Sequence, residues 1–312
     1  MQLPAMAAWA WIPIVVWAAF AQTVRNAAQR TLTAEVGTLP ATLVRFLYGL
    51  PCAALWLAVV WHVSGSAKPF LSLHYGGWLS LGAMAQLGAT ALLLMAMKER
   101  NFIVAVTWSK TEILQVALFS LLFLGELPGW MSALAMVVAT SGVLLLSRPK
   151  TPVADAKGGM AQGEGWWSRA ALYGLGSGAL FALSAVGYRG ASLVQTGVSP
   201  WLAGAWGVLW AQLLQSLVLG SYLAVRDAGG LLAIARAWRL SLVAGTMGAL
   251  ASVGWFTAMA MRPAADVRTL GLIEVLFSYL VSRRIFREKL SVSETLGLVL
   301  VTTGLVVVCA QL

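Results

Sequence analysis

Lys110 and Glu112 stand two residues apart inside WSKTEILQVA, in an otherwise apolar run, and Arg45 and Glu274 interrupt two further apolar runs. A charge at the centre of a membrane helix costs at least ~2.5–3.5 kcal/mol on insertion scales, so such a residue faces a bundle interior or an aqueous cavity. Two chemistries fit acids and bases at that depth. A carboxylate withdrawn from water holds a proton more readily. Glu112 and Glu274 would then be coupling or binding carboxylates, with Arg45 and Lys110 as their counter-charges or as anchors for a substrate carboxylate. Alternatively the four charges pair among themselves and only pin helix packing. Asp266 and Arg268 lie shallower in their segment.

Helical spacing sorts the neighbours. Trp108, Ser109, Gln115 and Val116, three or four residues from Glu112, share its face, which is polar and aromatic as a cavity wall should be. Lys110 is rotated about 200° from Glu112 and is expected to reach a neighbouring helix. Gln22, Asn26, Gln86, Ser184, Tyr188, Gln212 and Gln215 are read first as interhelical hydrogen-bonding groups, and Trp255 as packing. Glu126 and Glu288 are read as structural positions near helix ends.

Other chemistry has little support. Cys52 and Cys309 sit in apolar runs without CxxC or His neighbours, and His62 and His74 flank a polar connection, so neither a metal site nor a cofactor is expected. No HExxH, GxSxG or paired-aspartate motif falls in the apolar segments, which argues against an enzyme. GLGSG at Gly174–Gly178 opens an apolar helix with no preceding strand and reads as close helix packing, not as a phosphate loop. No basic run is long enough for a nucleic-acid arm, so the net charge of +10 points to orientation in, and contact with, a lipid bilayer.

The elements that must position these residues follow from composition. The 312 residues are 60% hydrophobic and 10% charged, with a mean hydropathy of +0.81, against about 25% charged in a soluble domain. Strand-type alternation is absent. The reading is an all-α membrane protein of ten transmembrane helices near 6–24, 39–61, 76–97, 102–124, 130–147, 169–188, 200–223, 240–261, 264–285 and 292–311. The first segment has no positive residue before it and is read as a retained helix, not a cleaved signal. Residues 1–147 and 169–312 form two halves joined by a Gly-, Ala-, Pro- and charge-rich linker at 148–168.

The halves are related. An ungapped offset of 162 residues lays Ala91–Leu146 on Val253–Val308 with 13 identities in 56 positions, pairing Thr107 with Thr269, Glu112 with Glu274, Glu126 with Glu288 and Gly142 with Gly304. Five helices per copy force the second copy to enter the membrane the opposite way up, so the expectation is two inverted five-helix repeats with a site near the midplane. Connections after odd-numbered segments hold fifteen Lys and Arg, against four after even-numbered ones. The positive-inside rule then puts the odd connections in the cytoplasm and both termini outside.

The segments LVRFLYGLP, TEILQVALFSLLFLGELPGW with TSGVLLL, and the weaker copy GLIEVLFSYLVSRRIFREKLS with TTGLVVV resemble the EamA-type repeats of the drug/metabolite transporter superfamily. The carrying elements are Arg45–Phe46, the mid-helix glutamate, Gly125–Glu126 and Gly142. The family often has proline directly after the mid-helix glutamate, where this chain has Ile113 and Val275. The resemblance implies ten helices in two inverted repeats around a central cavity, alternating access, and export of amino acids, metabolites or toxic organic compounds driven by protons or a counter-solute. It also implies cytoplasmic termini, against the charge count. The expectation is a multi-pass secondary transporter of small organic solutes in the cell (inner) membrane. Uptake by the same fold, and a non-transporting membrane scaffold or regulatory subunit, are the alternatives.

Overall fold

The computed structural model describes residues 9–98, 108–146, 169–277 and 292–310. Among them every regular element is an α-helix. In chain order these are α1 (Trp11–Val36), α2 (Thr38–Leu47), α3 (Leu50–Val63), α4 (Leu73–Lys98), α5 (Glu112–Leu124), α6 (Trp130–Leu146), α7 (Arg169–Val194), α8 (Pro200–Arg226), α9 (Ala228–Arg236), α10 (Trp238–Met261), α11 (Ala264–Leu270) and α12 (Val292–Cys309). Short helical stretches also cover 108–110 and 273–277.

Among the described residues five helical stretches are long and apolar enough to cross a membrane: Thr38–Val63, which joins α2 and α3, then Leu73–Ala96, Ala171–Val194, Pro200–Arg226 and Trp238–Met261. Trp130–Leu146 and Thr295–Cys309 are shorter apolar helices. The chain is an α-helical membrane protein, and its surface agrees with that solvent. Large apolar side chains such as Leu55, Val63, Leu122, Leu217 and Val225 point outward, while the interior is filled by small ones such as Ala18, Ala83, Ala139, Ala185 and Ala249. Lipid offers no hydrophobic drive for helices to associate, so close packing of small residues has to supply it.

The helices pair antiparallel. Ser177 of α7 donates to the Ala89 carbonyl of α4 at 2.9 Å, while further along α7 Gln86 of α4 accepts from Tyr188 at 2.9 Å. Helix α1 packs along α10, and α8 along α2, α3 and α10. Between α6 and α12 the backbones almost touch. A Cβ at Gly142 would lie 2.6 Å from the Gly297 carbonyl oxygen and 2.7 Å from the Val301 nitrogen, and one at Gly304 would lie 2.8 Å from the Ala135 oxygen and 2.7 Å from Ala139 Cβ. Only glycine admits both approaches.

Local signals set the ends. Ser199 accepts from the Leu202 N–H at 3.3 Å ahead of Pro200, which suits the first turn of α8. Asp227 accepts from the Gly230 N–H at 2.9 Å and starts α9, a helix within the connection expected between the segments at 200–223 and 240–261. The first predicted segment needs correction: α1 runs to Val36, so Arg25 and Arg30 belong to a helix and not to a loop. Arg189 and Arg268 likewise sit inside α7 and α11. On the odd side Lys98, Arg169, Arg226, Arg236 and Arg239 also fall within helix bounds, and the other eight basic residues lie outside the described residues. The linker at 148–168, together with Thr107 and Glu288, lies outside the described residues.

Candidate functional site

Both intrahelical glutamates stand at helix interruptions. Beyond the turn at 108–110 the Thr111 N–H donates to the Trp108 carbonyl at 3.3 Å, and α5 then opens at Glu112. In the second half α11 stops at Leu270, the Leu272 N–H donates to Thr269 at 3.1 Å, and the Glu274 N–H donates to Gly271 at 3.1 Å. Such i to i−3 bonds tighten the backbone and free carbonyls that a regular helix would engage. Ile113 and Val275 follow the two glutamates, so neither break depends on proline. Opposite the first break a Cβ at Gly178 would come 2.9 Å from the Ser109 oxygen, which shows α7 lying directly against it. Each carboxylate also sits by the N-terminal end of the helical stretch that follows, where the backbone dipole favours negative charge.

Glu274 gathers three side chains from the other half of the chain. Lys110 Nζ donates to its Oε2 at 2.5 Å, Gln22 Nε2 to the same oxygen at 2.7 Å, and Asn26 Nδ2 to Oε1 at 3.0 Å. The rotation of Lys110 away from Glu112 thus carries it to a neighbouring element. Trp255 of α10 donates Nε1 to Gln22 Oε1 at 3.0 Å and fixes which way that amide points. Glu112 takes its cation in the opposite sense, from Arg268 of α11, with Nη1 3.4 Å from Oε1. The Arg268 guanidinium lies 4.9 Å above the Trp255 ring. Among the described residues two ion pairs therefore cross between the halves, and Trp255 touches one of them directly and the other through Gln22.

Arg25 and Arg45 complete the cluster and, among the described residues, have no acid of their own. Arg25 donates to Asn26 Oδ1 through Nη2 at 2.7 Å and Nε at 3.3 Å, and Arg45 Nη1 donates to Thr90 Oγ1 at 2.9 Å. Arg25, Arg45, Arg268, Glu112 and Glu274 are 1, 2, 7, 6 and 4% exposed, so all five charges are out of water. Beside them Gln215 Nε2 donates to Gln86 Oε1 at 3.0 Å and to the Ala83 carbonyl at 2.8 Å, linking α8 to α4 and α7 in the interhelical role expected of these residues. The amide of Gln212, by contrast, has no partner.

The structure brings Glu112, Glu274 and Lys110 into one cluster and rearranges the expected partners. Arg45 pairs with neither glutamate, and Arg268, read as shallow, holds Glu112. Ser109 is buried against α7, and Gln115 reaches only Thr111 Oγ1, at 3.4 Å, one turn back on its own helix. Trp108 is half-buried at the break. Arg25 was missed because a charge after an apolar run looks like a helix end. A signal was present: Gln22, Arg25, Asn26 and Gln29 recur at three- and four-residue spacing, one polar stripe of a helix that continues.

A third ion pair stands apart from this cluster. Arg189 of α7 grips Glu126 through Nη2 at 2.7 Å and Nε at 3.0 Å, and its Nη1 donates to the Met259 carbonyl in the last turn of α10 at 2.8 Å. Glu126 thus has a structural partner. The variant Arg189→Met should lose about 2 kcal/mol, the worth of hydrogen bonds to a charged group left half-satisfied, measured by reversible unfolding in mixed micelles. An unchanged stability would mean that water replaces the guanidinium there.

No family model matches the sequence, and no curated protein matches it. Among solved structures, a chain described only as the crystal structure of a protein is similar over 96% of this chain and 96% of its own length, with a TM-score of 0.63 and 17% identity. That likeness shows a shared helical fold along nearly the whole of both chains.

Proposed function

We propose that the protein is a secondary active transporter that moves small organic solutes across a cell membrane by alternating access, with ten crossings in two inverted five-helix repeats of the drug/metabolite transporter type. The carrying observation is the pair of glutamates at matched positions, each beside a helix break and each held by a cation from the other half. Midplane sites built from discontinuous helices at a repeat interface are the common design of secondary transporters.

The α6–α12 contact supports the two-fold relation. Under the 162-residue offset Gly142 corresponds to Gly304, Ala135 to Gly297 and Ala139 to Val301, and Gly142 meets Gly297 and Val301 while Gly304 meets Ala135 and Ala139. The helix pairs behave alike, since α4 with α7 and α1 with α10 exchange under the same operation. Glu112 and Glu274 serve as coupling or binding carboxylates, and protons or a counter-solute drive the cycle in the export direction. The charge bias supports an orientation with both termini outside the cytoplasm.

A scaffold reading has one observation in its favour: both acids are already paired. Reconstitution in liposomes separates the two. Currents on solid-supported membranes, with amino acids, organic cations and carboxylates presented at two pH values, should show a substrate-specific signal that falls at least tenfold in Glu112→Gln. Proton-driven flux retained in that variant would remove Glu112 from the coupling role, and silence across the panel from folded protein would favour the scaffold.

A further inference from the structure

The charges of the central cluster do not balance. Lys110 is matched by Glu274 and Arg268 by Glu112, so both acids are taken. Arg25 and Arg45 are left over, each almost wholly buried and neither within ion-pair distance of an acid among the described residues. Three guanidinium nitrogens of this cluster, Arg25 Nη1, Arg45 Nε and Arg268 Nε, are buried with no hydrogen-bond partner. Buried charges are ordinarily paired and buried donors satisfied, because a lone charge in a dry interior is among the costliest arrangements a fold carries. Two surplus cations with idle donors are the chemistry that an oxyanion satisfies.

Geometry brings the two spare arginines together. A Cβ at Gly248 of α10 would meet Arg45 Cγ at 3.1 Å and Arg25 Cδ at 3.3 Å, so both side chains cross one point of that helix. Gln212 of α8 approaches the same region, its Oε1 3.0 Å from a Cβ built at Gly49, which is itself 2.9 Å from the Arg45 carbonyl oxygen. Both atoms of the Gln212 amide lack a partner.

We propose, resting on the transport reading above, that the solute is a small organic anion whose oxyanion head, carboxylate or phosphate, is taken by Arg25 and Arg45, with Gln212 contacting its polar remainder. The planar forks of arginine suit two-oxygen head groups. An organic cation finds no free acid here, and a zwitterion would have to strip Lys110 or Arg268 from its glutamate to seat its ammonium group.

The full chain in lipid nanodiscs, with unfolding followed by tryptophan fluorescence at constant ionic strength, provides the test. Succinate, phenylacetate and glycerol 3-phosphate are compared with tetramethylammonium, lysine and sucrose, and the carboxylate and phosphate arms identify the head group. At least one anion should raise the melting temperature by several degrees at millimolar concentration, while the other three compounds leave it unchanged. Arg45→Gln and Arg25→Gln should weaken the anion response at least tenfold. Without ligand Arg45→Gln should melt at or above the parent temperature, because it removes a buried charge that no neighbouring acid compensates. A merely structural arginine would lower it. Should either variant fail to fold, Gly248→Ala keeps every charge, displaces both arginines and should also weaken the response at least tenfold. Stabilisation by the cations alone, or an undiminished anion response in all three variants, overturns the proposal. Anion stabilisation without flux of that anion would leave this site standing and defeat the transport reading; flux of a cation without anion stabilisation would do the reverse.

Discussion

Glu274→Gln should cost about 3–5 kcal/mol in reversible unfolding, the usual penalty for removing one partner of a buried ion pair. The charge of Lys110 is left without its acid, and the donors of Gln22 and Asn26 compete for a single amide oxygen. Pairing this change with Lys110→Met removes the stranded cation and should recover most of the loss. If Glu274 is the coupling carboxylate proposed above, flux should not return with stability, because the carboxylate is still absent. Flux restored in the double variant would reduce the Lys110–Glu274 pair to a packing device.

Gly142→Leu should cost about 3 kcal/mol, at the upper end of overpacking penalties, because α6 and α12 have backbone atoms where the new side chain must begin. Gly304→Leu presses the same two helices apart at the corresponding point and should cost about as much. The double variant should cost less than the sum, since helices already parted meet the second leucine with little further strain. Markedly unequal single costs would count against the proposed two-fold relation between the halves.

Much of the frame was legible in the sequence, because length and hydropathy of a segment are local properties. The helical class, the burial of Glu112 and Glu274 and the reach of Lys110 to another helix all follow from composition and from 100° of rotation per residue. Arg25 was not legible by the same route. Hydropathy treats a charge as a helix end, whereas α1 runs on through Arg25 with that charge turned inward onto Asn26. The partner of Glu112 depends on how α11 lies against α5, a three-dimensional matter on which spacing in the chain is silent. The helix breaks were equally hidden. They arise from i to i−3 bonding at Thr111 and Leu272, with α7 packed closely against the first, and not from a residue whose type announces a break.

The surplus of two buried cations also has an electrical consequence. Moving one elementary charge through the full membrane potential is worth about 2.3 kcal/mol per 100 mV. If Arg25 and Arg45 face one aqueous side and then the other, a cell interior at negative voltage draws the unloaded protein toward its cytoplasm-facing form, where an anion for export would be collected. A bound dianion cancels that surplus and lets the loaded protein turn outward without working against the field. The resting voltage would then serve to reset the empty carrier, and turnover would depend on it even for a solute whose own gradient is flat.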